Sequence, residues 1–141
     1  MDNNDISFQL NSLVNEYNFN MDTLSKYLSL DKHQINEMIK GNFDALPNDN
    51  MYRYQIFNKI YFLAAIPAGD KDIKLEAFLH VLLSSHNLSK ATISKMSGTS
   101  VNDVDNILSQ QAEMVSIENK YKIAVAVMAL RFFLKDNENE V

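Results

Sequence analysis

Two stretches of the chain share one pattern, NFNMDTLSKYLSLDKHQINEMIKG at residues 18–41 and NLSKATISKMSGTSVNDVDNILSQ at residues 87–110. The clearest match within them is Thr23-Leu24-Ser25-Lys26, which recurs 69 residues later as Thr92-Ile93-Ser94-Lys95. A fixed offset of this kind is the signature of an internal repeat, and a repeat determines the whole fold assignment. The sequence therefore predicts two tandem copies of one unit.

The same offset extends beyond this match without a gap. Apolar residues upstream and downstream fall on apolar residues, and a polar segment near residue 50 falls on another near residue 119. Agreement over separate segments is the reason for preferring a duplication to chance. The aligned segments are Leu10, Leu13 and Val14 with Leu79, Leu82 and Leu83; Ile35, Met38 and Ile39 with Val104, Ile107 and Leu108; and Asn50-Met51-Tyr52-Arg53 with Asn119-Lys120-Tyr121-Lys122.

Each copy is predicted to form four helices, because apolar residues recur at helical spacing between residues that favour helix ends. Asn20 and Asp31 are the expected N-caps of the second and third helices in copy one, and Ser89 and Ser100 take these places in copy two. Gly41 is the expected left-handed residue after the third helix. The predicted helices are residues 5–17, 21–28, 32–40 and 51–66, then 74–86, 90–97, 101–109 and 119–135.

The expected fold is therefore all-α, with two tandem four-helix units that each contain a helix-turn-helix. Repeat 1 is placed at residues 1–66, ending before Pro67, since the residue before a proline disfavours the helical conformation. A linker follows at residues 67–73, and repeat 2 occupies residues 74–141. The polar C-terminal end of repeat 2, from Asp136, is expected to be a frayed tail.

The fourth helix of each copy is apolar nearly all round, in Ile60–Ile66 and in Ile123–Leu130. A helix of this kind is buried on most sides. We therefore expect the two units to pack through their fourth helices. A second interpretation, compatible with the first, is a homodimer seam on the last helix, formed by Phe132, Phe133 and an alanine face of Ala124, Ala126 and Ala129.

The second and third helices of each copy are short and are joined by a tight turn. Copy one has the pattern Leu24-Ser25-x-x-Leu28-Ser29-Leu30-Asp31-x-x-x-Ile35-x-x-Met38-x-x-Gly41, and copy two has Ile93-Ser94-x-x-x-Gly98-Thr99-Ser100-x-x-x-Val104-x-x-Ile107. These patterns resemble the helix-turn-helix of the Cro/Xre phage-repressor class. The resemblance implies a transcriptional regulator that places its third helix in the DNA major groove.

The outer face of the third helix differs between the copies. Asparagine and glutamine pair bidentately with adenine, and lysine reaches guanine or phosphate, so copy one carries side chains suited to DNA. Copy two instead places Asp103 and Asp105 there, which repel phosphate. The alternative for copy one is an ordinary solvated helix face. The candidate DNA-binding residues are Lys26, Lys32, His33, Gln34, Asn36 and Lys40.

Charge favours a second function. The formal net charge is −5, whereas proteins that bind nucleic acids usually show a basic footprint. In the Cro/Xre class a glutamine early in the second helix often contacts a phosphate. Here that position is Met21 in copy one, which cannot hydrogen-bond a phosphate in the same way, and Lys90 in copy two, which could. The alternative function is therefore a protein–protein interaction module derived from a helix-turn-helix that does not bind DNA.

Other classes of protein lack support in the sequence. No nucleophile–base pair, glycine-rich phosphate loop or paired-carboxylate signature is present, and the three histidines lack metal-ligand spacing. The absence of cysteine suits a reducing compartment, and the longest apolar run is far shorter than the roughly 20 residues of a membrane span. We expect a cytoplasmic, non-enzymatic protein without cofactor, metal, small-molecule ligand or membrane contact, whose partner is double-stranded DNA.

Overall fold

The computed structural model describes residues 2–138, and over this range the protein is all-α, as the sequence predicts. The chain divides into two compact units between Ala68 and Gly69. A single π-helical turn at Ser12–Glu16 continues the first helix, and 3-10 turns lie at Ala112–Met114 and Lys135–Asn137. The α-helices are α1 Asn3–Asn11, α2 Met21–Leu28, α3 Lys32–Ile39 and α4 Asn50–Ala64 in unit 1, and α5 Lys71–Ser85, α6 Lys90–Ser97, α7 Val101–Leu108 and α8 Ile117–Leu134 in unit 2.

The predicted N-caps of the short central helices are confirmed. Asn20 accepts a hydrogen bond from the Thr23 amide at 3.0 Å, and Ser89 accepts one from the Thr92 amide at 3.0 Å. Asp31 and Ser100 cap α3 and α7 in the same way. Each such cap contributes about 1 kcal/mol to helix stability, which explains why these helices of eight residues begin where the sequence indicates.

The repeat is also visible in the backbone. Three pairs of residues, each 69 positions apart, adopt positive φ angles in both units. They lie before α2 and α6, in the turns before α3 and α7, and directly after those helices, where the left-handed conformation of Gly41 confirms the prediction. The pairs are Asn18 with Asn87 (φ 54° and 52°), Ser29 with Gly98 (54° and 70°), and Gly41 with Gln110 (92° and 62°).

Each unit has its own hydrophobic core, and the two cores use equivalent positions. Many of the apolar residues that align at the 69-residue offset are buried in both units, which supports the duplication. The shared positions include Ile6, Leu10, Leu24 and Ile35 in unit 1 and Leu75, Leu79, Ile93 and Val104 in unit 2.

The ungapped alignment is wrong at the fourth helix. The buried residues Phe43 and Leu46 still correspond to Ala112 and Val115 at the offset of 69. The caps of α4 and α8, however, are Asp49 and Ser116, only 67 residues apart. The buried pairs that follow keep this shorter offset, Ile56 with Ile123 and Ile60 with Val127.

The physical reason is a loop of different length. Pro47 and Asn48 lie between Leu46 and the α4 cap and have no counterpart in unit 2. The predicted match of Asn50-Met51-Tyr52-Arg53 with Asn119-Lys120-Tyr121-Lys122 is therefore two residues out of register. The structural equivalents of Tyr54 and Arg53 are Tyr121 and Lys120.

The chain after α4 and after α8 also differs from expectation. Helix α5 begins at Lys71, within the predicted linker, because the Asp70 carboxylate accepts the amides of Asp72 and Ile73 at 2.8 and 3.3 Å. The expected frayed tail is held as far as Glu138, which pairs with His86 at 3.1 Å and with Arg131 at 3.2 Å. Residues 139–141 of that tail lie outside the described residues.

The fourth helix of each unit buries one face within its own unit. Ile56, Phe57 and Ile60 of α4 belong to the first core, and Ile123 and Val127 of α8 belong to the second. The further prediction, that the two units pack against each other through these helices, stays a prediction.

Candidate nucleic-acid interface

The turn between α2 and α3 is fixed by backbone and side-chain contacts around Ser29. Ser29 adopts the left-handed conformation, and the Leu30 amide donates to the Ser25 carbonyl at 3.1 Å. The Ser25 hydroxyl donates in return to the Leu30 carbonyl. Leu28 and Leu30 on either side of the turn are buried. The small Ser25 side chain thus bonds across the turn between the two helices.

Helix α3 is held against the rest of unit 1 by its inner face. Ile35 and Met38 are fully buried, and the Ser7 hydroxyl of α1 donates to the Met38 carbonyl at 2.6 Å. In a helix of 3.6 residues per turn, the positions opposite this inner face are 33, 36 and 40. Three of the six candidate residues therefore form one exposed stripe, called the α3 stripe below: His33, Asn36 and Lys40.

Gln34 is engaged in a structural role. Its side-chain oxygen accepts the Asp31 amide at 2.9 Å, and the Asp31 carboxylate accepts the Gln34 amide at 2.7 Å, which together form a capping box. The side-chain nitrogen of Gln34 donates to the Ala45 carbonyl at 3.1 Å. A base contact from Gln34 would have to break these bonds. The D-x-x-Q spacing was the sequence signal for this role.

The candidate lysines lie beside carboxylates. Lys32 pairs with Asp22 of α2 at 2.7 Å, and Lys40 pairs with Glu37 at 3.6 Å. Lys26 is exposed in the last turn of α2, one turn after Asp22. All three side chains are accessible, but positive and negative charges alternate on this surface. Exposed pairs of this kind contribute only about 0–1 kcal/mol, so a phosphate can displace the carboxylate partner.

Glu37 keeps its negative charge next to the α3 stripe. The Asn42 side-chain amide donates to its carboxylate at 3.0 Å and is the main cause of a lowered pKa for Glu37. The nearby charges of Lys40 and His33 lower that pKa further. An ionised carboxylate at this place opposes phosphate, but it can accept a hydrogen bond from the amino group of cytosine.

The equivalent face of α7 has the opposite charge. Its outward positions are Asn102, Asp105 and Ser109, 69 residues after those of the α3 stripe. Asp105 pairs with Lys90 of α6 at 2.7 Å. Lys90, the residue of copy two that could reach a phosphate, therefore pairs with the third helix of its own unit, in an exposed ion pair like that of Lys32 with Asp22.

Asp103 of α7 also has a structural partner, since its carboxylate accepts a hydrogen bond from the Asn119 side chain of α8 at 3.0 Å. Within residues 2–138, no group of three or more His, Asp or Glu side chains is arranged to hold a metal ion. In the same range, none of the helices combines the length and apolar character needed to cross a membrane.

Comparison with known proteins identifies the family. A family model described as a helix-turn-helix domain matches residues 1–140, which is nearly the whole chain. No curated protein and no solved structure is detectably similar to the chain. The match covers both units, and the chain belongs to this helix-turn-helix domain family.

Proposed function

We propose that this helix-turn-helix protein is a small DNA-binding transcriptional regulator of phage-repressor type. It acts in the cytoplasm by occupying a promoter or operator, and it catalyses no reaction. The observation that carries the proposal is the α3 stripe, in which an imidazole, an amide and an ammonium group project from a capped helix. The third helix of a helix-turn-helix enters the major groove with such a face.

The residues of unit 1 divide into two roles in this proposal. Asn36 and His33 contact base edges, and a bidentate contact from Asn36 selects adenine. Lys26, Lys32 and Lys40 contact phosphates, and they exchange their carboxylate partners for the DNA backbone. Gln34 supports the helix through the capping box, so its part in recognition is indirect.

The proposal predicts a modest salt dependence. Each phosphate contact contributes about −0.9 to the slope of log K against log salt concentration. Three lysines therefore give a slope of at most roughly 2.7 in magnitude, much shallower than the slope of strongly basic repressors. Unit 1 itself contains five basic and eight acidic residues, so specific contacts must supply much of the affinity.

A matched pair of variants tests the proposal. Lys26 in the last turn of α2 corresponds to Lys95 in the last turn of α6, and both are exposed. Duplexes selected from a random library are titrated at low salt and followed by fluorescence anisotropy. Lys26→Ala is expected to weaken binding to all duplexes, and Lys95→Ala is expected to leave it unchanged. Failure of the parent protein to bind any selected duplex would overturn the proposal.

The second candidate function is a protein-interaction module without DNA binding. It is favoured by the acidic outward face of α7, where Asp105 occupies the position of Asn36. It is also favoured by the net charge of −5. Under this function the selection yields no enriched duplex, and the Asp105→Asn variant changes binding to a basic protein partner instead of binding to DNA.

A further inference from the structure

Helix α8 is apolar on two opposite faces. One face carries Ile123 and Val127, which are fully buried in the core of unit 2. A second apolar stripe runs along the opposite face at spacings of four, three and four residues, which keeps it on one side of the helix. This outward stripe, called the α8 stripe below, consists of Tyr121, Val125, Met128 and Phe132, all exposed.

A groove borders the α8 stripe on the side of α6. It has a volume of about 320 Å³, and Met96, Tyr121 and Val125 line it together with the small side chains of Ala126 and Ala129. The alanines leave room for a large side chain from outside. Phe133, 76% exposed, projects from the same flank of α8 one turn after Ala129.

The arrangement of large and small residues is self-complementary under a two-fold axis. Such an axis brings α8 against the same face of α8 in a second copy, with the chain direction reversed. If the axis passes between residues 126 and 127, Tyr121 lies opposite Phe132 of the second copy and Val125 lies opposite Met128 of the second copy. The bulky rings at each end then meet each other, and the smaller residues meet at the centre.

The same symmetry fills the groove. In an antiparallel pair each flank of the helix meets the same flank of its partner. The flank with the groove therefore faces the flank that carries Phe133 of the second copy. With this axis Phe133 of the second copy is level with residue 120. Because a helical side chain leans toward the N-terminus of its own helix, the ring comes to lie beside Lys122, at the end of the groove that Tyr121 and Lys122 line. The groove and the side chain that fills it belong to the same surface, which is the requirement for an isologous contact.

The apolar area exposed along the α8 stripe and its groove is in the range that a dimer interface needs. Aromatic side chains have roughly 150–250 Å² to bury, and Tyr121, Phe132 and Phe133 are 71%, 63% and 76% exposed. With Met96, Val125 and Met128, the surface offers on the order of 600 Å² of apolar area, the upper end for a patch left open on a monomer. A standard interface takes about 800 Å² from each partner, so the polar flanks need to add only a minor part.

We propose that the α8 stripe pairs two copies of this chain in an antiparallel, two-fold symmetric contact, with Phe133 of each copy in the groove of the other. The pairing narrows the homodimer seam expected from the sequence to particular residues. It does not rest on DNA binding, because it is measured without DNA, and either proposal can fail alone.

The first test is the oligomeric state of a matched pair of variants. Tyr121 and its structural equivalent Tyr54 on α4 are similarly exposed, at 71% and 63%. Sedimentation equilibrium of the full chain is expected to give a dimer for the parent and for Tyr54→Asp. Tyr121→Asp is expected to weaken the dimer at least about tenfold, as for a truncated interface anchor. Circular dichroism confirms that both variants remain helical.

A monomeric parent at all concentrations would overturn the pairing and leave the groove to a helix of another protein. Equal weakening by Tyr54→Asp and Tyr121→Asp would also overturn it, because the contact would then not be specific to α8.

The second test fixes the geometry and does not depend on a destabilising variant. The chain has no cysteine, so introduced thiols are the only ones present. Val125→Cys protein and Met128→Cys protein are oxidised separately and as a mixture. The antiparallel contact predicts a disulfide-linked dimer mainly in the mixture, since these two positions face each other. Efficient cross-linking of each variant alone, with no increase on mixing, indicates parallel helices and contradicts the proposal.

Discussion

Helices α3 and α7 have the same length, and each begins at a side-chain N-cap and is followed by a left-handed residue, Gly41 after α3 and Gln110 after α7. Their inward residues are equivalent, Ile35 with Val104 and Met38 with Ile107, and all are buried. Their outward faces differ, with a histidine, an asparagine and a lysine on α3 but an aspartate at the centre of α7. The inward face therefore maintains the repeated scaffold, while the outward face is free to diverge.

The ion pairs between the second and third helices place their charges on opposite helices in the two units. In unit 1 the lysine lies on the third helix and its carboxylate on the second, in the pair Lys32–Asp22. In unit 2 the lysine lies on the second helix and the carboxylate on the third, in the pair Lys90–Asp105. Both pairs hold the same two helices together. Only the first leaves a cation on the helix that a helix-turn-helix protein places against DNA.

The largest expected effect comes from substitutions on the buried inward face, which α3 and α7 share. Ile35→Asp and Val104→Asp each place an unpaired charge at a fully buried position. Each is expected to cost its own unit roughly 4 kcal/mol or more, enough to unfold it. Urea titrations followed by circular dichroism measure the loss. A variant with the parent's midpoint would show that its helix is not held by this side chain.

The next effect tests the part that differs. Asn36→Asp gives α3 the charge of α7, and Asp105→Asn gives α7 the amide of α3. Asn36→Asp is expected to weaken DNA binding by about tenfold to a hundredfold, corresponding to roughly 1–3 kcal/mol for a lost base contact. Asp105→Asn is expected to leave affinity within about twofold of the parent. Fluorescence anisotropy on a selected duplex measures both, and a reversed ranking would assign recognition to α7.

A smaller effect concerns the turns that precede the two helices. Ser29 and Gly98 occupy equivalent left-handed positions, and a left-handed conformation costs a residue with a side chain about 1–2 kcal/mol. Ser29→Gly is expected to stabilise unit 1 by about 1 kcal/mol, and Gly98→Ser to destabilise unit 2 similarly. A Cβ atom at Gly98 would have no neighbour within 4 Å, so the effect is one of backbone conformation. A lower melting temperature for Ser29→Gly, or a higher one for Gly98→Ser, would contradict this prediction.

The smallest effect separates support from recognition within unit 1. Gln34→Ala removes half of the capping box and the bond to Ala45, so it is expected to lower stability by about 0.5–1 kcal/mol. Under conditions in which the Gln34→Ala variant is fully folded, its preference among duplexes should equal that of the parent protein. Asn36→Ala should show the converse, with parental stability and relaxed preference. A loss of preference from Gln34→Ala equal to that from Asn36→Ala would mean that the capping bonds open on DNA.

The helices were predictable because their signals are local. Asn20, Asp31, Ser89 and Ser100 specify where the short helices begin, and apolar spacing specifies their inner faces. The register of α4 against α8 was not predictable from the ungapped match, because the extra Pro47 and Asn48 lie in a loop that carries no periodicity. The false match of Tyr52 with Tyr121 concealed the shift.

The sequence predicts which residues of the candidate site point outward better than it predicts the contacts of their side chains. The spacing of Ile35 and Met38 determines that residues 33, 36 and 40 point outward. The partners of the charged side chains depend on packing between helices, so the pairs Lys32–Asp22 and Lys90–Asp105 could not be derived from either helix alone. Gln34 is a different case, since its spacing from Asp31 already indicates the capping role that the structure shows.

DNA binding by the α3 stripe is tested most directly by the effect of DNA on the amide resonances of the full chain. A selected duplex is titrated into isotope-labelled protein, and the amides of the two equivalent stripes are compared in one spectrum. We expect the amide resonances of His33, Asn36 and Lys40 to shift or broaden, while those of Asn102, Asp105 and Ser109 stay unchanged. Changes confined to the second set, or equal in both, would contradict the claim that unit 1 alone carries the DNA-binding face.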